Sequence, residues 1–252
     1  MAAISSKVAL VTGASKGVGK GIALALAQRG WDIWVNYHSD QAGAESTAAA
    51  IQALGQKAWL TKASVADTPQ VDAMFEQIGQ LDLLVNNAGI QTWKPLLDLT
   101  EAEWDGVIAT NLKGCFLCTQ RAARKMLTRG GNIVNIGSGC NKLAFPRLVD
   151  YTASKCGIEQ FTKVAAVELG EYNIRVNCVA PGAVEIERTK LEAPDYAGMW
   201  SKYTPLARVG TPDDIGRTVA FLASDDAAFI TGQTIGVDGG LFSKPHWPYY
   251  DR

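Results

Sequence analysis

Short apolar runs rich in valine and isoleucine alternate along this chain with longer segments of helical periodicity. The first run, at 7–12, reads K-V-A-L-V-T and is followed by a helical pattern over 17–29. The remaining runs lie at 31–37, 57–62, 81–86, 132–137, 174–179 and 233–237. This alternation predicts a mostly parallel sheet with helices on both faces, and the near-continuous apolar strands fit a sheet that is covered on both sides. We therefore predict an α/β fold built on a doubly wound parallel sheet of about seven strands.

The chain has 252 residues, enough for one large domain, and no linker-like segment divides it, so we predict a single domain over 1–252. Its 24 basic and 25 acidic residues are mixed, with no Lys/Arg stripe that would favour nucleic acid or an anionic membrane. No apolar run approaches the roughly 18 residues that span a bilayer, and the amino terminus lacks a signal-peptide pattern. The sequence thus predicts a cytoplasmic protein that binds neither nucleic acid nor membrane.

The five cysteines form no disulfide framework. Cys115 and Cys118 make a C-x-x-C within a helical stretch, but neither a second cysteine pair nor a histidine cluster could complete a zinc site. We expect reduced, structural cysteines and no catalytic metal.

A glycine-rich turn, T-G-A-S-K-G-V-G at 12–19, joins the first strand to the first helix. Gly13 permits a tight turn, and Gly17 and Gly19 would let backbone and helix approach a pyrophosphate, whose charge is favoured at a helix N-terminus. An ordinary strand-to-helix turn with three glycines is the alternative interpretation. We predict a dinucleotide cradle and hence a Rossmann-type sheet.

Tyr151 and Lys155 lie four residues apart in Y-T-A-S-K, so a helix presents both on one side. A free tyrosine, with a pKa near 10, is too weak a base at neutral pH, and lowering that value by about three units takes roughly 4 kcal/mol. One cation at about 4 Å supplies about that much at an effective dielectric constant near 20. We therefore predict that Lys155 lowers the pKa of Tyr151, which acts as the acid/base of a hydride-transfer enzyme. The alternative is that the two are merely helix neighbours.

Further motifs follow in order: N-N-A-G at 86–89, Asn111 in a helix, Ser138 after the fifth strand, and Pro181-Gly182 after the sixth. Together with the glycine turn and Y-x-x-x-K, they make the whole chain resemble the short-chain dehydrogenase/reductase family. The resemblance implies that Ser138 holds the substrate oxygen, that Lys155 also holds the nicotinamide ribose, and that Asn111 places a water on a proton path. It also implies a homotetramer.

The resemblance further implies a set of cofactor-binding residues. They are Gly13, Ser15, Lys16, Gly17, Val18, Gly19, Asn36, Tyr37, His38, Ser64, Val65, Asn87, Ala88, Gly89, Tyr151, Lys155, Pro181, Gly182 and Val184. The second strand ends in V-N-Y-H-S, without the acidic residue that binds the ribose hydroxyls of NAD. Lys16 lies at the position where NADP-using members of this family have a basic residue that contacts the 2′-phosphate. We therefore expect NADP, with use of NAD also open.

Polar residues surround the expected substrate site, and the segment 182–211 is a candidate lid, since long loops in compact domains are usually functional. The predicted substrate contacts are Ser138, Cys140, Asn141, Lys142, Tyr151, Gln91, Trp93, Glu185 and Arg188. Polar groups beside Trp93 and Trp200 favour a sugar. The lid resembles that of bacterial aldose 1-dehydrogenases, L-rhamnose 1-dehydrogenases in particular, which implies oxidation at C1 to a lactone.

Two alternatives stay open at this point. A 3-oxoacyl-[acyl-carrier-protein] reductase shares every motif above and should present a basic docking patch, for which Arg121, Arg124, Lys125 and Arg129 qualify. A non-catalytic NADP-binding sensor of the same fold would be expected to lose the serine, tyrosine or lysine, and none is lost here.

Overall fold

The sheet is parallel throughout and has seven strands. This computed structural model describes residues 6–243, so the aromatic tail from 244 onward, which the sequence suggested packs on a neighbouring surface, lies outside the described residues. The strands are β1 Val8–Val11, β2 Asp32–Tyr37, β3 Ala58–Lys62, β4 Leu83–Asn86, β5 Gly131–Ile136, β6 Ile174–Pro181 and β7 Thr234–Val237. Their spatial order is β3-β2-β1-β4-β5-β6-β7. The predicted doubly wound sheet in a single α/β domain is confirmed.

Helices cover both faces of this sheet. They are α1 Gly17–Ala27, α2 Gln41–Ala53, α3 Thr68–Gln77, α4 Glu101–Val107, α5 Gly114–Met126, α6 Val149–Leu169, α7 Glu187–Glu192, α8 Tyr196–Ser201 and α9 Pro212–Leu222. One apolar core lies between the sheet and α1, α2 and α9, and a second lies between the sheet and α3, α5 and α6. Between residues 6 and 243, no helix is both long and apolar enough to cross a membrane.

The strand order reverses between β1 and β4, and in an open parallel sheet ligands bind at the carboxyl ends of the strands beside such a switch point. That edge gathers the motifs predicted from sequence. The glycine turn follows β1, the segment 86–89 ends β4, Ser138 follows β5 and Pro181 ends β6.

Two predicted elements take a different form. The helix predicted to contain Asn111 is three segments, with a wide π turn, Ile108–Lys113, between α4 and α5. The stretch after β6, predicted as irregular, contains the short helices α7 and α8. Capping boxes begin α4 at Thr100 and α9 at Thr211. Both boxes are formed between residues three apart in sequence, whereas no local pattern indicated the π turn.

Candidate active site

The glycine turn has the conformation that its glycines were expected to permit. Gly13 and Gly17 have φ values of +61° and +54°, in the left-handed region that favours glycine. A side chain at Gly19 would overlap the carbonyl oxygen of Gly13 and lie 2.5 Å from the Asn87 amide nitrogen. The turn therefore presents backbone alone at the start of α1, which is the arrangement that a pyrophosphate requires. The residues present fit a dinucleotide.

The N-N-A-G segment is joined to this turn by hydrogen bonds. Asn87 Nδ2 donates to the carbonyl oxygens of Thr12 and Gly13 at 2.9 and 3.2 Å. The backbone amides of Asn87 and Ala88 both donate to Thr12 Oγ1, at 2.9 and 3.0 Å. Two loops that lie more than seventy residues apart in sequence thus form one rigid floor for the crevice.

Asn36 is buried and has a bracing role. Its Oδ1 accepts from the Gly13 amide at 3.1 Å, and its Nδ2 donates to the carbonyl oxygens of Thr61 and Ala63 at 3.3 and 3.1 Å. Because both amide hydrogens are used inside the protein, we assign Asn36 to holding the glycine turn. The prediction that Asn36 also contacts the cofactor stays a prediction.

The other residues predicted to bind the adenosine differ in how far they are buried. Tyr37 and Val65 are buried in the two apolar cores, His38 is exposed, and the Ser64 amide donates to Gln70 Oε1 at 2.9 Å. Burial limits Tyr37 and Val65 to backbone contacts or to packing against a base. At the far end of the crevice, the Gly182 amide donates to the Val237 carbonyl at 3.0 Å, which fixes the chain where the nicotinamide contact was predicted.

Sequence reasoning missed an acidic residue at the adenosine end of the crevice. Asp40 caps α2 and lies 3.5 Å from the Lys16 ammonium group. The second strand itself ends without an acidic residue, as stated from sequence, and the carboxylate at this corner comes from the start of α2. The sequence signal was present, since Asp40 immediately precedes a helical pattern, but its contact with Lys16 depends on how α2 packs against the glycine turn.

The predicted catalytic residues come together at the start of α6. The Ser138 side chain hydrogen-bonds the Tyr151 hydroxyl, and the Lys155 Nζ lies 5.5 Å from the centre of the Tyr151 ring. Lys155 is buried, and its ammonium group donates to the Ile136 carbonyl at 2.7 Å. The helix spacing of Tyr151 and Lys155 therefore does place both on the crevice side, as predicted.

The direction of the Tyr151 pKa shift differs from the sequence-based expectation. Burial raises the pKa of Tyr151 to about 12, although the hydrogen bond from Ser138 and the charge of Arg188 act to lower it. Burial has the opposite effect on Lys155. It lowers the pKa of this residue, because removal from water disfavours the ammonium form. The protein alone therefore keeps Tyr151 protonated, because desolvation outweighs the neighbouring positive charge. Lys155 does not by itself make this phenol acidic.

Asn111 lies at the centre of the π turn and supports the site through hydrogen bonds. Its side chain accepts from the Ile90 amide at 2.8 Å and donates to the Ile90 carbonyl at 2.9 Å. It also donates to Ser154 Oγ at 3.0 Å, and Ser154 in turn donates to the Tyr151 carbonyl at 2.7 Å. Asn111 thus ties the loop after β4 to the helix that carries Tyr151. Its predicted role in placing a water stays a prediction.

A second link between the same loop and α6 was not predicted. The Thr92 hydroxyl donates to the carboxylate of Asp150, which is completely buried, and the other Asp150 oxygen accepts from the Tyr151 amide at 2.7 Å. A buried carboxylate needs such partners, because an unsatisfied one is costly. Asp150 thereby fixes the first turn of α6, and with it Tyr151, against the loop that carries Gln91 and Trp93.

Thr92→Val removes the hydroxyl partner of Asp150 while keeping the side-chain shape. We expect a loss of about 1–3 kcal/mol in the free energy of unfolding, since one buried acceptor loses its donor. We also expect a severalfold rise in KM for the substrate, since Tyr151 is less firmly held, with little change in cofactor affinity. Denaturant melts and steady-state kinetics measure both. Thr218→Val, whose hydroxyl bonds only to a carbonyl within α9, is the matched control. Wild-type KM and stability in Thr92→Val would contradict the assigned role.

The predicted substrate residues divide into two groups. Cys140 lies beside Ser138 and Tyr151, and Arg188 is close enough for its charge to act on the Tyr151 hydroxyl. Asn141 and Lys142 instead turn to Glu159, the former by a hydrogen bond and the latter by an ion pair of 3.9 Å. Some of the polar side chains that were predicted to line a sugar pocket are thus hydrogen-bonded or ion-paired within the protein.

Glu185, like Asn141 and Lys142, has a partner within the protein. The last two predicted substrate residues, Gln91 and Trp93, lie on the loop after β4. Glu185 pairs with Lys190 at 3.0 Å within the candidate lid. Trp93 is 60 % exposed, and Gln91 is half-buried next to it. Trp93 is therefore largely open to solvent on this loop, and its predicted substrate contact stays a prediction.

An aromatic cluster borders the site and was mostly missed from sequence. Phe145 packs against Phe242 and Trp200, with ring centres 6.0 and 6.4 Å apart, and Trp200 also contacts Tyr196 at 6.2 Å. A side chain at Gly139 would overlap the Phe242 ring, so Phe242 lies directly on the loop that follows Ser138. Of these residues, sequence reasoning singled out Trp200 alone, because Phe145 and Phe242 carry no periodic or motif signal.

The fold and these contacts define a dinucleotide-binding oxidoreductase with a serine–tyrosine–lysine site. A family model described as enoyl-(acyl carrier protein) reductase matches residues 13–242. The chain belongs to the short-chain dehydrogenase/reductase family.

Individual relatives cover nearly the whole chain. The 3-oxoacyl-[acyl-carrier-protein] reductase FabG of Staphylococcus aureus is 45% identical over 242 residues, covering 94% of this chain and 98% of the relative. The solved structure of the angucycline C-6 ketoreductase LanV with bound NADP has a TM-score of 0.89 at 35% identity, over 94% of this chain and 96% of that one. A putative gluconate dehydrogenase from Agrobacterium tumefaciens has a TM-score of 0.90 at 35% identity, over 95% and 97%.

These similarities confirm the broad part of the sequence-based prediction but not its narrow part. Membership of the family is confirmed, and NADP as the cofactor is confirmed through the family and its NADP-bound member. The narrower resemblance to aldose 1-dehydrogenases is not matched by the names of the similar proteins described above.

Proposed function

We propose that this chain is an NADPH-dependent reductase of 3-oxoacyl thioesters, the activity that the sequence held as an alternative. The observation that carries the proposal is a tyrosine hydroxyl, bonded to Ser138, whose pKa burial raises to about 12. Such a group holds its proton at neutral pH, which suits donation to a carbonyl oxygen during reduction. The similarity to FabG over 94% of the chain supports the same activity.

The mechanism assigns one task to each side chain. The glycine turn and the N-N-A-G segment would hold NADPH, which would supply a hydride for the carbonyl carbon. Ser138 and Tyr151 donate hydrogen bonds to the carbonyl oxygen, and Tyr151 gives its proton as negative charge develops there. The Lys155 ammonium group then favours the resulting phenolate, because an opposite charge nearby stabilises the ionised form. Asn111 and Asp150 hold the start of α6 so that these groups keep their positions.

The lining of the site favours a ketone with apolar substituents over a sugar. Phe145 and Phe242 add apolar surface beside Ser138, while Lys142 and Glu185 form ion pairs within the protein. A sugar requires several unengaged polar groups to meet its hydroxyls, whereas an acyl chain requires apolar surface. The candidate lid, 182–211, is closed at its base by a short parallel bridge between Val184 and Gly210 and would cover this lining.

Oxidation of an aldose at C1 is the second candidate. The similarity to a putative gluconate dehydrogenase and the exposed Trp93 on the loop after β4 support it. The third reading, a non-catalytic NADP-binding sensor, is disfavoured because Ser138, Tyr151 and Lys155 are all present and in contact.

One absorbance assay separates these candidates. Purified protein is mixed with NADPH and an acetoacetyl thioester, and in parallel with NADP and a panel of aldoses including L-rhamnose. We expect oxidation of NADPH by the thioester and no reduction of NADP by the sugars. Aldose oxidation without thioester reduction would replace our proposal with the sugar dehydrogenase, and no turnover with either class would favour the sensor.

We also propose that the protein works in the cytoplasm as a homotetramer. Exposed apolar side chains on α5 and α6 support self-association, with Phe116, Val164 and Val167 at 44%, 50% and 82% exposure. The edge strand β7 offers a second contact. Light scattering after size exclusion measures the mass, and a stable monomer would contradict this part of the proposal.

The basic residues considered for carrier docking lie away from the crevice of their own chain. Arg121 pairs with Asp72 at 2.8 Å, and Arg129 pairs with Asp82 at 3.3 Å near the amino ends of the strands. Because a twofold contact between antiparallel helices joins opposite ends, a second subunit would bring this patch toward the other subunit's crevice. We therefore infer that the patch would serve an acidic carrier from a neighbouring subunit of the proposed oligomer.

Charge reversal at Arg124, an exposed member of this patch, tests that arrangement. We expect Arg124→Glu to raise KM for an acetoacetyl carrier protein about tenfold and to leave KM for acetoacetyl-CoA unchanged, since rim charges act on encounter with an acidic protein. Lys57→Glu, an exposed lysine ahead of β3, is the control. Equal effects on both thioesters would rule out carrier docking at this surface.

A further inference from the structure

Residues 138–142 form a tight turn after β5, here called the serine turn, whose backbone hydrogen bonds are internal. The Cys140 amide donates to Ser138 Oγ, and the Asn141 amide donates to the Ser138 carbonyl, both at 3.2 Å. The amide of the last residue donates to the Gly139 carbonyl at 2.9 Å. Because the Cys140 amide holds the Ser138 oxygen, a displacement of the serine turn displaces the catalytic hydroxyl with it.

A cavity of about 290 Å³ lies beside the serine turn. Gly139 and Lys142 form part of its wall, together with residues at the ends of β6 and β7 and the Phe242 ring. Close packing fixes a segment in a protein interior, whereas a neighbouring space of this size leaves room for the segment to shift. The position of the serine turn therefore depends on the side chains that attach it to a neighbouring element.

Glu159, one helical turn beyond Lys155 on α6, supplies such an attachment. Asn141 Nδ2 donates to its carboxylate, and Lys142 Nζ lies 3.9 Å from Glu159 Oε1. The Glu159 side chain is only 17% exposed, so solvent ions screen these interactions less than those of a fully solvated pair. Lys163 lies 3.6 Å from the same oxygen, but this pair is contained within α6.

The second polar atom of the Asn141 amide strengthens the dependence on Glu159. Asn141 Oδ1 is buried and has no hydrogen-bond partner among residues 6–243. Without the Glu159 carboxylate, the whole amide would be buried and unsatisfied, which is unfavourable. Loss of Glu159 therefore favours an outward shift of the serine turn, in which water satisfies the amide.

We propose that Glu159 is a positioning residue, which holds the serine turn on α6 and thereby keeps Ser138 against Tyr151. Tyr151 lies on α6 itself, and Asn141 and Lys142 attach the turn of Ser138 to the same helix. Glu159 thus fixes the two hydroxyls relative to one another without touching the substrate. This role rests on the proposed function only through the Ser138–Tyr151 site, and it is the same for a thioester or a sugar.

The Cys140 thiol reports the position of the serine turn without any turnover. It lies half-buried beside Ser138 and Thr152, and burial raises its pKa, so an alkylating agent should modify it slowly. Iodoacetamide labelling is followed by peptide mass spectrometry in a Cys156→Ser background, because Cys156 is exposed and the other three cysteines are buried. We expect Glu159→Ala to raise the rate of Cys140 labelling about tenfold, since local opening exposes the thiol.

Steady-state kinetics with NADPH and acetoacetyl-CoA provide the second readout. We expect Glu159→Ala to lower kcat about tenfold and to change the NADPH dissociation constant by less than about twofold, because a misplaced hydroxyl slows the chemical step alone. Glu159→Gln keeps an acceptor for Asn141 and should recover most of that loss. Lys163→Gln, which removes only the pair within α6, is the matched control and should behave as wild type in both readouts.

Thermal melts confirm that each variant is folded, and Asn141→Ala, which removes the other side of the contact, should have the same effects if Glu159→Ala does not fold. A folded Glu159→Ala variant with wild-type kcat would overturn the positioning role, and so would wild-type labelling of Cys140. An inactive wild-type protein would contradict the reductase activity instead. In that case, faster labelling in Glu159→Ala but not in Lys163→Gln would still support Glu159 as the residue that holds the serine turn.

Discussion

Replacing Tyr151 with phenylalanine is expected to lower kcat for thioester reduction by about 10³–10⁴-fold, because it removes the proton donor and keeps the ring. The affinity for NADPH should change little, since the phenyl ring preserves the packing at the start of α6. Rapid-mixing or steady-state absorbance assays measure the first effect, and fluorescence titration measures the second. Tyr172→Phe, which alters an exposed tyrosine beyond the end of α6, is the matched control. A Tyr151→Phe variant retaining a tenth of wild-type turnover would reject Tyr151 as the acid.

The pH profile of the wild-type enzyme provides a second readout of the same group. Tyr151 donates its proton only below its pKa, which burial raises to about 12 in the protein alone. Reduction should therefore keep its rate as pH rises from 6 to 9. The reverse oxidation needs the deprotonated form, so its rate should increase over the same interval. The positive charge of an oxidised nicotinamide would lower the pKa for that direction, because it favours the phenolate.

Replacing Gly19 with alanine is expected to weaken NADPH binding by about 100-fold or more. The added methyl group would overlap the Gly13 carbonyl oxygen and lie 2.5 Å from Asn87 Nδ2, so the glycine turn and the N-N-A-G segment must separate. We also expect a loss of about 1–3 kcal/mol in the free energy of unfolding, the usual cost of overpacking. Fluorescence titration and denaturant melts measure these quantities.

Gly106→Ala is the control for this substitution. Gly106 also lies in a helix, α4, but nothing lies within 4 Å of the position its Cβ would take. Alanine there should preserve NADPH affinity and stabilise the protein by up to about 1 kcal/mol through helix propensity. If Gly19→Ala bound NADPH as tightly as Gly106→Ala, the close contact at Gly19 would not be what determines NADPH affinity.

Much of the fold and part of the site followed from patterns between near neighbours in sequence. The apolar runs predicted seven strands, and their ends differ from the structure by no more than two residues. The glycine turn, the capping boxes and the four-residue spacing of Tyr151 and Lys155 were equally local. Such features depend on backbone sterics and on helix or strand periodicity, which neighbouring residues determine.

The tertiary structure alone decided several other features. Thr92 meets Asp150 across 58 positions of sequence, and Lys16 meets Asp40 through the packing of α2 on the glycine turn. Periodicity carries no signal for either contact.

The Tyr151 phenol shows the difference most clearly. The sequence placed Tyr151 and Lys155 on one side of a helix, as the structure shows, but it predicted a pKa of Tyr151 below the ordinary value. Burial in the folded protein raises that pKa instead. Sequence thus determined which groups are present and on which side of a helix they lie. How deeply they are buried, and which charges reach them, depends on distances between segments far apart in the chain, because desolvation and Coulomb energies are functions of three-dimensional position.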